Sequence, residues 1–242
     1  MMKSKIMLLL LVGIMAAGPG PTKAGAEADD WAQTATALET SQDWPELLKH
    51  AFRWTRNAPG DYRAWFTMGR AQQQLHLPEQ ALGSYRQALR LNDELTAAWF
   101  HLGVLLREKG EYEEAVAANH RALELTPELT VARYNLGVLY EKLEQPDKAI
   151  ASYRQITEHD PGFAPAWHNL GAILGNQGQL TDAIAAFQQA TQLNPDNPQA
   201  WLSLATAYLA ADRREESEEA LARLQRLDPA MAAEFKRRHF SQ

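Results

Sequence analysis

Two rows of side chains recur at one fixed interval along the chain and form the part of this sequence best suited to binding. The first row is mainly aromatic and consists of Phe66, Phe100, Tyr134, His168 and Leu202. The second row is polar and consists of Thr67, His101, Asn135, Asn169 and Ser203. Aromatic side chains can anchor an apolar ligand, and an asparagine amide can pair with the backbone of an extended peptide. Together the rows predict a peptide-binding surface.

Aliphatic and charged residues extend this surface. Val104 and Val138 each stand three residues after a member of the second row, His101 and Asn135. Arg70 stands in the same way three residues after Thr67. Arg63, about two helical turns before Arg70, could join it in binding an acidic group on a ligand. Exposure to solvent beside acidic neighbours is the alternative interpretation of both arginines.

The sequence lacks the signatures of an enzyme. It has no phosphate-binding loop, no dinucleotide-binding glycine pattern, no zincin helix and no nucleophile elbow. Its seven histidines are scattered, and the two in the rows, His101 and His168, stand at different positions two repeats apart. We therefore expect no catalysis by this chain, no cofactor and no metal site.

The residues that position the rows follow the same period. Proline recurs at the interval of the rows or at twice that interval, at Pro59, Pro127, Pro161, Pro195 and Pro229, with Asp93 at the one missing place. At a constant distance before these marks stand Trp31, Trp65, Trp99, Arg133, Trp167 and Trp201. We number each repeat so that this residue is position 4. A fixed period of about 34 residues is typical of a repeat architecture.

Small and apolar residues mark two helices in each repeat. They occupy positions 4, 7, 8 and 11 on the first helix and positions 20, 24 and 27 on the second. Position 8 is glycine in four repeats, which predicts close contact between the helices. Gly110, Gly178 and Asp212 at position 15 suit a helix C-terminus, and proline at position 17 suits a helix start. Positions 6 and 9 lie about 180° from the first stripe, on the outward face of the helix, and position 5 flanks this outward face.

At these residues the chain resembles the tetratricopeptide repeat family, whose period and W-L-G-Y-A-F-A-P pattern it follows over about six repeats. The resemblance implies an all-α fold, a right-handed α-solenoid of helix-turn-helix repeats, and we expect a single elongated domain. We place a signal peptide at 1–26, a degenerate first repeat at 27–61, further repeats at 62–95, 96–129, 130–163, 164–197 and 198–231, and a C-terminal capping helix at 232–242. Phe235 is expected to be buried under this cap.

The resemblance also bears on the binding rows. The chaperone-binding carboxylate clamp of this family uses lysine at position 5 and asparagine at position 9, and this sequence lacks that pair. Asparagine rows hold peptides in some relatives, which favours binding at Asn135 and Asn169. Two alternatives stay open. Asparagine is common at this place in the repeat consensus, and the aromatic row could instead pack against the first helix of the adjacent repeat.

The N-terminal segment, 1–26, differs in composition from the repeats. Lys3 and Lys5 precede an apolar run over 6–17, and the A-x-A site over 24–26 precedes Glu27. This layout predicts a secretory signal peptide cleaved after Ala26, and hence a periplasmic or secreted protein. The run is shorter than the roughly 20 residues that span a bilayer, so cleavage is favoured over an uncleaved inner-membrane anchor. The absence of cysteine excludes disulfides and thiol acylation and suits a bacterial periplasm.

The charge of the chain argues against nucleic acid as a partner. The formal net charge is −6, and removal of 1–26 takes away three lysines and no acidic residue, which makes it −9. Such a field repels a polyanion. No later stretch is long and apolar enough for a membrane helix, so we expect no stable membrane insertion after signal removal.

These observations predict a non-catalytic scaffold that binds a peptide or a segment of another protein on the concave surface of its repeats. The family resemblance suggests an assembly process of the bacterial envelope. Two alternatives stay open. One is a structural scaffold that self-assembles into homo-oligomers, and the other is an accessory subunit of an envelope enzyme or a cytochrome-maturation complex.

Overall fold

Thirteen α-helices joined by short turns make up the part of the chain that the computed structural model describes, residues 23–240, with side chains described for 30–240. No strand occurs within this range. The helices are α1 (Lys23–Thr40), α2 (Trp44–Asn57), α3 (Tyr62–Gln74), α4 (Pro78–Leu91), α5 (Thr96–Lys109), α6 (Tyr112–Leu125), α7 (Thr130–Lys142), α8 (Pro146–His159), α9 (Ala164–Asn176), α10 (Leu180–Leu193), α11 (Pro198–Ala210), α12 (Arg214–Leu227) and α13 (Pro229–His239).

The predicted signal peptide, 1–26, lies outside the described residues except for its last four positions, which begin α1. Cleavage after Ala26 therefore stays a prediction. Between residues 23 and 240, no helix combines the length and the apolar composition that a membrane crossing requires.

The residues group into two compact units, the first ending at Pro127 and the second beginning at Glu128. The first unit contains α1 to α6, and the second contains α7 to α13. The repeat pattern of the sequence predicts one elongated domain for all repeats. Each repeat of such an array contacts mainly its neighbours, so no single core joins all of them and a boundary can fall between two repeats.

Helices pack in consecutive pairs within each unit. In the first unit α3 packs on α4 and α5 on α6, and in the second unit α7 packs on α8, α9 on α10 and α11 on α12. Successive pairs also stack, as α4 does on α5 and α8 does on α9. The predicted all-α fold of helical repeats is confirmed.

The turn between the two helices of a repeat has one conformation throughout the described repeats. Position 15 has a positive φ in all six, at Gln42, His76, Gly110, Glu144, Gly178 and Asp212. The next amide donates to the carbonyl of position 11, as Gln145 does to Tyr140 at 2.8 Å. This hydrogen bond closes the C-terminus of the first helix. The break predicted at position 15 is confirmed, and four repeats form it without glycine.

Glycine at position 8 allows the two helices of a repeat to touch. A Cβ on Gly137 would lie 2.5 Å from the ring of Tyr153, and one on Gly171 would lie 2.9 Å from the ring of Phe187. These aromatic residues stand at position 24 of the same repeats and are buried. The close contact predicted from the glycines is confirmed.

The periodic tryptophans bond to the loop before their own helix. The indole Nε1 of Trp167 donates to the carbonyl of Pro161 at 2.9 Å. The same bond joins Trp65 to Pro59, Trp99 to Asp93 and Trp201 to Pro195, at 2.7–3.0 Å. A hydrogen bond therefore links the proline mark of one repeat to position 4 of the next.

The first repeat and the C-terminus depart from the common pattern. Leu47 and Trp54 replace alanine at positions 20 and 27 of the first repeat, while the smaller Ala51 takes position 24, and all three are buried. The first repeat therefore fills its core with large side chains at positions 20 and 27 and a small one at position 24, the reverse of the common pattern. At the other end, α13 packs on α12 and buries Phe235, as the sequence predicts.

Candidate functional site

The predicted binding residues fall into a buried and a half-buried group. Phe100, His101 and Asn135 are buried, with 6%, 7% and 2% of their surface exposed. The half-buried residues are Arg63, Phe66, Arg70, Val104, Tyr134, Val138, His168 and Asn169. These three residues expose little surface to a ligand, and the ligand-contacting role expected from the sequence stays a prediction for them. The half-buried residues keep surface that a ligand can reach.

Aromatic rings from the preceding repeat cover His101 in the first unit. The ring of Tyr85 stacks on His101 with centroids 5.5 Å apart, and the ring of Phe66 lies at 5.9 Å. Burial, with a smaller contribution from the charge of Arg70, lowers the pKa of His101 to about 3. The imidazole is therefore neutral at pH 7, and it fills space between repeats.

Both candidate arginines already have carboxylate partners in the first unit. Arg70 Nη1 lies 2.9 Å from Glu39 Oε2, and both side chains are largely buried. Burial raises the pKa of Glu39, and the charge of Arg70 partly opposes this shift. The guanidinium of Arg63 donates to the carboxylate of Asp61, from Nε to Oδ1 at 3.0 Å and from Nη2 to Oδ2 at 2.9 Å. An acidic ligand would have to displace these partners, which are acidic neighbours of the kind that the alternative interpretation of both arginines expected.

In the second unit, four helices contribute to one chain of polar contacts. Asn169 Nδ2 donates to the hydroxyl of Tyr134 at 3.1 Å and to the hydroxyl of Tyr153 at 3.0 Å. His168 Nδ1 lies 3.4 Å from Asn169 Oδ1, and its Nε2 lies 3.2 Å from Ser203 Oγ. We call these five residues the polar row. It joins α7, α8, α9 and α11 of the second unit.

Aromatic packing holds the polar row in place. The ring of Tyr134 lies 5.7 Å from that of Tyr153 and 5.3 Å from that of Phe163, and His168 makes an edge contact with Phe187 at 5.6 Å. Such ring pairs fix the orientation of the polar groups they carry. The polar row is therefore a preorganised set of donors and acceptors, with Tyr153 buried and the other four side chains half-buried.

The Tyr153 hydroxyl sets the direction of the hydrogen bonds in the polar row. It donates to Glu141 Oε1 at 2.5 Å. Burial raises the pKa of Tyr153, and the bond to Glu141 adds to this shift, while the bond from Asn169 opposes it. The hydroxyl therefore stays protonated and accepts from the Asn169 amide. The carbonyl oxygen of Asn169 is left on the side of His168.

Tyr85 and Tyr153 stand at position 24, which the sequence pattern predicts as a packing position alone, yet their hydroxyls also form hydrogen bonds. Both rings are buried, but Tyr85 donates to Gln73 at 2.8 Å, just as Tyr153 donates to Glu141. Gln73 and Glu141 both occupy position 12. The sequence does contain a signal for these hydrogen bonds, since in both repeats a tyrosine at position 24 occurs together with an acceptor at position 12.

Metal ligation has no support in the described part of the chain. Within residues 30–240, no group of three or more histidine, cysteine, aspartate or glutamate side chains is arranged to hold a metal ion. The chemistry that the polar row offers is hydrogen bonding beside aromatic surface.

Comparison with known proteins gives a consistent result for the fold. A family model described as Cilia and flagella-associated protein 70 C-terminal domain matches residues 26–234. No curated protein matches the chain.

Three solved structures show the extent of the likeness. YrrB is 24% identical over 77% of this chain and 97% of its own, with a TM-score of 0.67. PilF of Pseudomonas aeruginosa is 18% identical over 87% of this chain and 96% of its own, with a TM-score of 0.74. PilW is 23% identical over 84% and 94%, with a TM-score of 0.70. At these identities the likeness concerns the fold alone.

Proposed function

Because the chain belongs to the tetratricopeptide repeat family, through its match to the Cilia and flagella-associated protein 70 C-terminal domain, we propose that it is a non-catalytic interaction scaffold. Its ligand is a segment of another protein, bound along the polar row of the second unit. The observation that carries this proposal is the Asn169 amide, fixed between two tyrosine hydroxyls at 3.1 and 3.0 Å beside His168. Repeat proteins bind along the extended surfaces that their stacked helices create.

The binding mode follows from the groups in the row. The Asn169 carbonyl oxygen and the His168 ring pair with the peptide backbone, and the long 3.4 Å contact between them is the one that a ligand replaces at least cost. Tyr134 and Val138, one turn apart on α7 and half-buried, cover an apolar side chain of the ligand. Without a ligand the polar groups satisfy one another, so the empty row is stable.

Half-buried residues of the first unit supply a smaller surface of the same kind. Phe66 and Val104 provide apolar contact area, while Arg63 and Arg70 stay with their own carboxylates. This surface is a separate binding surface of the first unit.

The compartment and process are a further part of the proposal. The predicted signal peptide favours export to the periplasm or the medium. YrrB, whose structure has a similar fold, is described as a protein with an unusual peptide-binding site. PilW, also of similar fold, is described as a widely conserved type IV pilus biogenesis factor. They support a peptide ligand and a role in assembling a structure of the bacterial envelope.

The test is cross-linked affinity capture from the native envelope, followed by mass spectrometry. The tagged wild-type chain is compared with a Val138→Glu/Asn169→Ala variant, which alters the polar row and its apolar neighbour. The matched control is Ala185→Glu, which adds the same charge at an exposed position on α10. We expect a partner that is lost with the double variant and kept with the control. Identical retained proteins for all three chains would contradict the proposal.

The same experiment separates the two alternatives. Recovery of a second copy of this chain, together with a size in solution that grows with concentration, would indicate self-assembly. Recovery of a catalytic chain whose activity falls with the double variant would indicate an accessory subunit.

A further inference from the structure

A groove of about 450 Å³ lies in the first unit between the second helices of two successive repeats, α4 and α6. Its floor is α5, which contributes Trp99, Leu102 and Leu106. These residues belong to the packed stripe of α5, whereas Val104 lies about 180° away on the same helix. The groove is therefore separate from the binding rows. Its volume is within the usual range for a ligand pocket.

Two arginines line the groove on the α4 side. Arg86 and Arg90 stand four residues apart, so they lie on the same face of the helix and repel each other. Arg86 reaches Glu114 on α6 at 3.3 Å, but both side chains are about half exposed or more, which makes this ion pair weak. Arg90 donates to the neutral Gln87. Glu114 is the only acid among the lining residues, so the groove carries an excess of positive charge.

The repeat fold does not require this pair of arginines. The two residues occupy positions 25 and 29, and no other repeat has arginine at both. The fourth repeat has Arg154 and Glu158 there, and it forms the same pair of helices with a neutral combination. The charge pair is thus a local addition to one repeat of a chain whose net charge is −6.

We propose that this groove binds a partner protein through a segment in which an apolar side chain stands beside carboxylates. The apolar side chain covers Leu102 and Leu106 on the floor. A carboxylate accepts hydrogen bonds from Arg90, and a second one takes the place of Glu114 on Arg86. Arginine suits this task because its forked donors match the geometry of a carboxylate. The charge complementarity selects an acidic segment although the chain as a whole is acidic.

The test uses fluorescence anisotropy with a defined panel of short labelled peptides. Each peptide carries leucine or phenylalanine flanked by glutamate, and a matched peptide carries glutamine in place of each glutamate. We expect at least one glutamate peptide to bind at least about tenfold more tightly than its glutamine counterpart, with weaker binding at high salt. Arg90→Glu should remove this preference, and the control Arg154→Glu should leave it unchanged. Both sites are exposed, so the variants are expected to fold, and circular dichroism verifies this.

A second measurement places the peptide. Because the chain contains no cysteine, an Ala117→Cys variant has a single thiol, on the α6 side of the groove. A glutamate peptide whose one cysteine is activated as a mixed disulfide with 2-thiopyridine should react with this thiol faster than its glutamine counterpart does. In this reaction the thiolate of the variant attacks the peptide sulfur and releases 2-thiopyridone. The inference is overturned if no peptide of the panel binds, if glutamate and glutamine peptides bind equally, or if Arg90→Glu changes nothing. This result does not depend on whether the polar row binds a partner, since the Val138→Glu/Asn169→Ala variant should bind these peptides normally.

Discussion

The ring of Tyr153 lies so close to Gly137 that a Cβ on the glycine would stand 2.5 Å from it. The two helices of the fourth repeat, α7 and α8, therefore meet at a point where only glycine fits. This contact recurs between positions 8 and 24 in four repeats, and it determines how closely α7 can approach α8.

Replacement of Gly137 by leucine should destabilise the second unit by about 1–3 kcal/mol or more, because the added side chain overpacks the contact with Tyr153. The measurement is urea unfolding followed by circular dichroism. Gly83→Ala is the control, since this glycine is exposed on α4 with no atom within 4 Å of an added Cβ. That control should stabilise slightly because alanine favours a helix. Equal unfolding midpoints for Gly137→Leu and the wild type would contradict the close contact between Gly137 and Tyr153.

Replacement of Glu144 by glycine should stabilise the protein by about 1 kcal/mol, because Glu144 has a φ of 55° in the turn between α7 and α8, a conformation that costs a residue with a Cβ more than it costs glycine. The reverse change, Gly178→Ala, meets the same conformation at a φ of 76° and should destabilise by a similar amount. The two variants are compared by chemical unfolding. Shifts of the same sign in both would contradict this account of the turn.

His101 should make the protein less stable as the pH falls. Its pKa in the folded chain is about 3, below the ordinary value of 6.5, so the unfolded chain binds a proton more readily between these two values. The contribution of the neutral imidazole to the stability of the folded chain is fully present above about pH 6.5 and is lost as the pH falls toward 3. His101→Gln has no proton to bind and should lose less stability over this range.

The measurement for His101 is the free energy of unfolding of the wild type and of His101→Gln at pH 7 and pH 5. Only the change with pH tests the prediction, because the substitution also alters packing. The wild type should lose more stability than the variant between the two pH values. Parallel losses would show that His101 is protonated equally in the folded and unfolded chains.

Tyr153→Phe should distinguish the packing role of the Tyr153 ring from the hydrogen-bonding role of its hydroxyl in the polar row. The ring that packs on Gly137 is kept, so the free energy of unfolding should fall only by the loss of two hydrogen bonds, about 1 kcal/mol each. Glu141 and Asn169 both lose a partner, and capture of the ligand should fall. Tyr85→Phe is the control, because it removes the equivalent bond to Gln73 in the first unit. Full ligand capture by Tyr153→Phe would exclude this hydroxyl from the site.

Sequence spacing was sufficient for the helix pairs because the relevant interactions are local. The close contact of Gly137 with Tyr153 and the turn at position 15 both occur within a single repeat, where the helical period determines which side chains meet. The period of the sequence therefore predicted the hairpin before any neighbour was considered.

The burial of the site residues could not be obtained in the same way. His101 is covered by Tyr85 and Phe66 of the preceding repeat, and Arg70 pairs with Glu39 of the first repeat. Both contacts depend on how one hairpin stacks on the next, which a periodic pattern does not specify. The pair of Arg70 and Glu39 also has no counterpart in later repeats, so no regularity pointed to it.

The hydrogen bond from Trp167 to the Pro161 carbonyl implies that the folding module and the sequence repeat are out of phase. A fragment that starts at α9 would lose the acceptor of its own indole, although it contains a complete sequence repeat. A fragment that starts a few residues earlier, at Pro161, keeps both partners. The loop that ends one repeat is thus a structural part of the next, and cuts or fusions that respect this overlap should preserve each module intact.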